Sequence, residues 1–487
     1  MRTSQRLVQP TKCCLWQPLS PAASSSCSAV RSFSTVAENF HFAVRGEIDV
    51  KVARLKRELD SGIAKPFPSL ILGHLSNPQA AGRQPITFFR QVMALCNLPA
   101  AVGVDSPEAL AVMPADVIAR ARDVLKACGP AGTGAYTHSQ GMPGIREEIA
   151  RFLEARDGHP ADGEEVFLVN STSDGVHLVL TMLVDNKTDV VLCPAPGYPG
   201  WESIVRVLGA TVVHFPLQHG TWTLDLKALE GSIATARSDG KRIRALVLTN
   251  PSNPSGHVMS ASDLAGLGRL CAKEDIALLA DEVYQEQVYL PDRQFVSAKK
   301  AILDAGITGL RLFSFHSASK GSWGEGSRRG GFVEMHGLDP HAHAQFYKLK
   351  SAGLCAGVTG QIALSLLAKP PAAGDASYDL FVAQRQSNLQ TAAKAAAALA
   401  QELDKIDGIE CPRIEGGDFA FAKLVLPAIV HQQAKAQGIA ADALYTDSLL
   451  ENAGVSALPA SAFTAPADWC GFRIAIPSDT VIPDVVQ

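Results

Sequence analysis

Six short segments of the 487-residue chain collect side chains of the kind that hold an anion or fix an aromatic ligand. Asn170-Ser171-Thr172-Ser173-Asp174-Gly175 places small hydroxyl residues where a helix can open, which suits a phosphate at a helix N-terminus. Pro194-Ala195-Pro196-Gly197-Tyr198-Pro199 presents an aromatic ring in a rigid frame. The others are Asn250-Pro251-Ser252-Asn253-Pro254-Ser255-Gly256, Asp281-Glu282-Val283-Tyr284, His316-Ser317-Ala318-Ser319-Lys320-Gly321 and Arg328-Arg329-Gly330-Gly331. Taken singly, each has a plainer reading. Asn253 is a turn residue, Tyr198 a packing aromatic, Asp281 a helix cap and Lys320 a solvated lysine. Order gives them weight, because hydroxyl loop, aromatic, Asn, Asp, Lys and Arg each follow a short apolar run.

Those runs are residues 166–169, 190–193, 211–215, 245–249, 276–280, 310–315 and 331–334, apolar and largely β-branched. Longer segments of helical period lie between them, including 175–183, 201–208 and 262–273. Short apolar strands alternating with helices predict an α/β fold with a mainly parallel sheet buried on both faces. In such a sheet, ligands bind beyond the carboxyl ends of the strands, where all six segments fall. Further on, 361–367 and the alanine-rich 391–406 read as helices, and 419–425 and 471–476 as strands of a smaller α+β unit. Residues 49–59 have helical charge spacing and 66–78 are turn-rich. The stretch before Pro99 has no core of its own and is expected to pack with the C-terminal part. The predicted organisation is a leader (1–37), an N-terminal arm with part of the small domain (38–124), a large domain (125–345) and a small domain (346–487).

Composition sets the outer limits. With 47% apolar and 19% charged residues the chain is globular, and a net charge of −4 gives no general pull toward nucleic acid or anionic membrane. No run approaches the length of a membrane span, so membrane insertion is not expected. Residues 1–37 contain no Asp or Glu but carry Arg2, Arg6, Lys12 and Arg31 among many Ser and Thr. That is the composition of a transit peptide, and Arg31-Ser32-Phe33-Ser34 favours a mitochondrial address over a plastid one. Outside this head, Cys96, Cys128, Cys193, Cys271, Cys355, Cys411 and Cys470 are scattered, with no metal spacing. A dinucleotide fingerprint, a nucleophile elbow and a Walker lysine are all missing. His316, His257 and His138 are read as packing residues.

The series resembles the fold-type I pyridoxal-phosphate enzymes, specifically the class I and II aminotransferases and, in wording, their alanine branch. The resemblance runs from about Phe42 to Ile476. It is most specific in Asn77-Pro78-Gln79, Pro85-Ile86-Thr87-Phe88-Phe89-Arg90-Gln91-Val92, Asp281-Glu282-Val283-Tyr284-Gln285-Glu286-Gln287-Val288-Tyr289 and from Ser314 through Gly331. It implies a large domain with a mainly parallel sheet, a smaller α+β domain and pyridoxal 5'-phosphate as cofactor. Lys320 would hold the cofactor covalently and move the substrate proton. Asp281 would face the ring nitrogen, Asn253 and Tyr284 the ring oxygen, and Tyr198 the ring face. Thr172, Ser173, Ser317 and Arg329 would hold the phosphate, joined by Tyr136 from a partner subunit of a homodimer. Arg473 would pair with the α-carboxylate of small amino acids and 2-oxo acids, beside Ser76.

The implied reaction is transfer of the amino group from L-alanine to 2-oxoglutarate by a ping-pong mechanism. Alternatives are glutamate or alanine transfer to glyoxylate, lyase chemistry on an adenosyl amino acid, and a catalytically impaired binding protein of the same fold. The chain departs from the family pattern in several places. His74-Leu75-Ser76 stands where relatives read Asn-Ile-Gly, and Ser171 replaces a glycine of the phosphate loop. Ser322, Gly326 and Arg328 are unusual near the lysine, and a final amphipathic helix after Arg473 is expected to be lacking.

Overall fold

The computed structural model describes Ser34, Val36, Val44 and residues 46–486; apart from Ser34 and Val36, the predicted leader lies outside the described residues. In chain order the strands are β1 (Ile71–Leu72), β2 (Val166–Val169), β3 (Asp189–Ala195), β4 (Thr211–Pro216), β5 (Arg242–Thr249), β6 (Ala277–Asp281), β7 (Leu312–Ser317), β8 (Gly331–His336), β9 (Ile409–Glu410), β10 (Phe419–Leu424), β11 (Val455–Ser456), β12 (Leu458–Pro459) and β13 (Gly471–Ala475). Phe40–Gln487 forms one unit by its internal contacts and holds all of them.

The seven predicted runs form one sheet in the order β2-β8-β7-β6-β5-β3-β4. Pairing is parallel among β3, β4, β5, β6 and β7; β8 alone runs against both its neighbours. Strands β2, β6 and β7 are buried at every residue, as a sheet covered on both faces requires. Alternate residues feed opposite cores. Leu246 and Leu278 pack with the helix Ala261–Lys273, while Val247 and Leu279 pack with the helix Thr172–Leu183. In that second helix Val176, Val179, Leu180 and Leu183 are buried, a single apolar stripe.

A second sheet, β12-β13-β10-β9, is antiparallel throughout. Against it packs the 26-residue helix Tyr378–Leu403, whose Ala395, Ala396, Leu399 and Leu403 join Ala420, Ala422 and Leu424. This helix starts 13 positions before the predicted 391. Residues 384–388 of this helix are polar, and two of them reach other segments: Gln384 bonds Thr87, and Asn388 bonds Gln84 and Ser322. Such amide connectors interrupt the apolar period by which a helix is read.

The stretch before Pro99 meets the C-terminal part at two places. β1 pairs in parallel with β11, and Gly73 accepts a bond from Ala475 N–H at 2.7 Å. The helix Thr87–Asn97 packs its Phe88, Phe89, Val92 and Met93 in one core with Ile362, Leu366 and Phe381, and this core also takes in Val117 and Trp323. Beyond Arg473, Ile482–Val486 forms a short helix with Ile482 buried in the core of the second sheet.

Candidate active site

A cavity of about 470 Å³ opens beyond the carboxyl ends of β5, β6 and β7. Ser76, Thr172, Ser173, Tyr198, Asn253, Asp281, Tyr284, Ser317, Lys320, Arg329 and Arg473 all line it. Eleven of the twelve residues singled out in the sequence therefore meet in one place. The twelfth, Tyr136, lies outside the cavity with 83% of its surface exposed.

At one end is an anion cradle. The helix Thr172–Leu183 points its first N–H groups toward the cavity, with Ser171 as N-cap accepting from Asp174 N–H at 3.1 Å. Ser171 has φ −169°, so its Cβ carries none of the left-handed cost that loss of a glycine could bring. The glycine that matters is Gly331, whose added Cβ would meet the Ser171 carbonyl carbon at 2.9 Å. Ser317 closes β7, and Arg329 follows a short 3₁₀ turn with φ +57°. The Arg329 guanidinium donates only to Gly326 O at 3.3 Å and has no ion pair among the described residues.

Asp281, the last residue of β6, is buried and among the described residues has no cation within ion-pair distance. Burial, resisted by the Val283 N–H and increased by Glu282, raises its pKa to about 7. Opposite lies Lys320, whose Nζ donates to Ser76 Oγ at 2.8 Å and stands 3.5 Å from Asp418 and 5.8 Å from the Tyr284 ring centre. Burial lowers the lysine pKa, and Asp418 pulls it partly back.

Arg473 comes from β13 and is 1% exposed. It donates to Asn253 Oδ1 at 3.0 Å and to the His74 carbonyl at 2.6 Å, with its guanidinium carbon 3.8 Å over the Phe419 ring. No carboxylate pairs with it among the described residues, and burial pushes its pKa down to about 10. Asn253 spends its carbonyl oxygen on this arginine, so its NH₂ is the donor left for a ligand.

Sequence reading missed Asp418, Arg83, Gln287 and Phe419. Asp418 is an isolated carboxylate ahead of an apolar strand, and no motif marks it. Its partners are scattered along the chain, and only folding brings them together. The histidines stay out of the cavity as expected. His316 packs between Phe152 and Phe332, and burial lowers its pKa to about 4. His257 pairs with Glu415 at 2.9 Å, and His138 contacts the Tyr347 ring. Among the described residues no group of His, Cys, Asp or Glu is arranged to hold a metal ion, and the seven cysteines there are free.

Among the described residues, the cavity thus gathers a buried acid that no cation pairs with, a buried arginine that no acid pairs with, and a helix N-terminus suited to an anion. A phosphorylated pyridine aldehyde and an amino acid would fit this set: a phosphate at the helix N-terminus, a protonated ring nitrogen at Asp281 and a carboxylate at Arg473. With a lysine at its centre and a mainly parallel sheet beneath, this is the design of a fold-type I pyridoxal-phosphate enzyme.

The family profile "Aminotransferase class I and II" matches residues 108–486. Alanine aminotransferase 2 of Panicum miliaceum is 38% identical over 463 residues, 94% of this chain and 96% of that protein. Human alanine aminotransferase 1 is 38% identical, covering 89% of this chain and 88% of its own. Glutamate–glyoxylate aminotransferase 2 of Arabidopsis thaliana is 36% identical, covering 92% of each. The solved alanine aminotransferase from Pyrococcus furiosus shares the fold, with TM-score 0.72 and 17% identity over 93% of this chain and 98% of that one. The chain belongs to the class I and II aminotransferases, and its cofactor is pyridoxal 5'-phosphate.

Proposed function

We propose that the protein exchanges amino groups between L-alanine and 2-oxoglutarate, giving pyruvate and L-glutamate in two half-reactions at one site. The observation that carries this reading is Arg473, a buried guanidinium without an acidic partner that lines the same cavity as Lys320. A carboxylate substrate removes that deficit with a charge-assisted, two-pronged contact. The bound cofactor supplies an electron sink that acidifies the substrate Cα–H bond. Lys320 Nζ holds the cofactor and then takes and returns the Cα proton, a task that needs an amine free to lose its own. Asp281 keeps the ring nitrogen protonated, Asn253 and Tyr284 bond the ring oxygen, and Tyr198 covers one ring face. Thr172, Ser173, Ser317 and Arg329 hold the phosphate, and Ser76 steadies the lysine. Tyr136, exposed on this subunit, completes the phosphate site of a second copy in a homodimer.

The test is spectroscopic. L-Alanine shifts the visible absorbance of the purified protein, 2-oxoglutarate restores it, and Lys320→Ala abolishes the cycle. A Lys320→Ala protein that still cycled would overturn the assignment. Glyoxylate is a second candidate acceptor, because glutamate–glyoxylate aminotransferases are almost as similar as the alanine enzymes. Product analysis with each keto acid separates them. Two Arabidopsis relatives are named mitochondrial, which supports reading residues 1–37 as a mitochondrial address. Import into isolated mitochondria, with and without those residues, tests it.

A further inference from the structure

Behind Lys320 and Ser76 lie three buried or half-buried polar residues, Asp418, Arg83 and Gln287, that the reaction described above does not use. Asp418 is 3% exposed at the start of β10. Its Oδ2 accepts from Ser76 Oγ at 2.5 Å and lies 3.5 Å from Lys320 Nζ. Its Oδ1 accepts from Arg83 Nη2 at 2.8 Å and from the Gln287 amide. The same two partners grip the backbone next to the lysine. Arg83 Nη1 donates to Gly321 O at 2.8 Å, and Gln287 Oε1 accepts from Gly321 N–H at 2.9 Å. One carboxylate is therefore tied to the lysine at both ends, through Ser76 at the amine and through Arg83 and Gln287 at the main chain.

Ser76 is the residue that stands where the family resemblance calls for glycine. In this chain its hydroxyl is the bridge, donating to Asp418 while accepting from Lys320. Burial alone would push the Asp418 carboxyl up, but Arg83, Lys320, Ser76 and Gln287 hold it well below the usual range. It is an anion at any working pH. Unbalanced, such an anion would fix the lysine as a permanent ammonium, useless as nucleophile or base. Arg83 supplies the balance.

We propose that Asp418 is a positioning residue for Lys320, seating the ε-amine on the cavity wall through Ser76, with Arg83 balancing its charge so that the amine stays available. The proposal rests on Lys320 being the cofactor-holding residue. An ε-amine held in this seat stays at the cavity wall and does not swing freely. The charged or titratable groups that act on Lys320 are Asp418, Arg83, Arg473 and Asp281, with the Tyr284 ring close by; Asp418 itself also faces Tyr289.

The experiment uses the full chain loaded with pyridoxal 5'-phosphate, and it reads two quantities besides turnover. One is the pH midpoint of the visible absorbance. The other is the pH dependence of borohydride trapping of the cofactor, with the labelled peptide identified by mass spectrometry. Removing the anion while Arg83 remains makes a cation at Nζ costlier, so Asp418→Asn moves both midpoints to lower pH by about 1–3 units. Arg83→Gln leaves the anion unbalanced and moves them to higher pH. The double variant Arg83→Gln/Asp418→Asn keeps the net charge of the cluster and brings the midpoints back between those of the singles. It also guards against a single variant that does not fold. Superimposable profiles for wild type and the folded variants would overturn the proposal while leaving Lys320 in its role. A label found on a residue other than Lys320 would instead overturn the functional reading beneath it.

Discussion

Arg473 reaches across from the second sheet to the loop after β5, donating to Asn253 Oδ1 at 3.0 Å, so one bond joins the two sheets across the cavity. The guanidinium is sandwiched by Phe419 and Phe463, at 3.8 and 4.7 Å from their ring centres, and can move little. A carboxylate that docks there finds its partner already aligned and desolvated. Arg473→Gln should lower kcat/KM for L-alanine by about 10²- to 10³-fold, or about 3–4 kcal/mol. The slow half-reaction with ethylamine, which has no carboxylate, should be unchanged. Single-turnover rates with both amines check this; equal losses would point to a general distortion.

Asp281 makes the cofactor-free protein sensitive to pH. Its pKa is raised from 3.8 to about 7 by burial, so its contribution to folding is fully present below pH 4 and lost as pH rises through 7. The loss is about 4 kcal/mol at alkaline pH. Asp281→Asn should therefore stabilise the apo-protein at pH 8 relative to wild type, while the two converge near pH 4. Urea unfolding at both pH values measures it. Pyridoxal phosphate should stabilise the wild type far more than the variant, because only the carboxylate gains a cation.

Among the described residues Arg329 has no ionic partner, so, if it holds the phosphate as proposed, its removal should be felt mainly there. Arg329→Ala is expected to weaken pyridoxal phosphate binding by about 10- to 100-fold, the worth of a charged hydrogen bond. Affinity for pyridoxal, which lacks the phosphate, should stay put. Fluorescence titration with both compounds decides.

Ser171 is an N-cap in extended backbone, so restoring glycine should matter little. Ser171→Gly should cost only about 0.3 kcal/mol, since glycine caps nearly as well as serine. A thermal scan showing a large loss would mean that the hydroxyl does more than cap.

A shared active site has a statistical signature. Lys320→Ala and Tyr136→Ala, each nearly inactive alone, should regain about a quarter of wild-type activity when the two chains are refolded together. Half of the dimers are then mixed, and each mixed dimer has one intact site of two. Activity that stays at the level of the parents would remove Tyr136 from the site.

Much of this was legible in the chain because the sheet has strong local signatures. The run 276–280 was expected as a strand, and β6 is Ala277–Asp281, so Asp281 sits at a strand end as its neighbours indicated. The same holds for Ser317 at the end of β7. The polar residues 384–388 of the helix Tyr378–Leu403 and the Asp418 cluster leave no such signature. Their hydrogen bonds join residues hundreds of positions apart, as with Gln384 and Thr87 (297 apart) and Arg83 and Asp418 (335 apart). Short-range patterns carry no trace of such partners.

The bond from Arg473 to the His74 carbonyl spans 399 positions. At about 5–20 residues per second, a ribosome needs roughly 20–80 s between making the two. In a nascent chain the His74 carbonyl therefore waits through most of synthesis for its donor. A product stalled before β13 lacks Arg473, so Asn253 and the His74 carbonyl go without that donor and the carboxylate contact proposed for it cannot form.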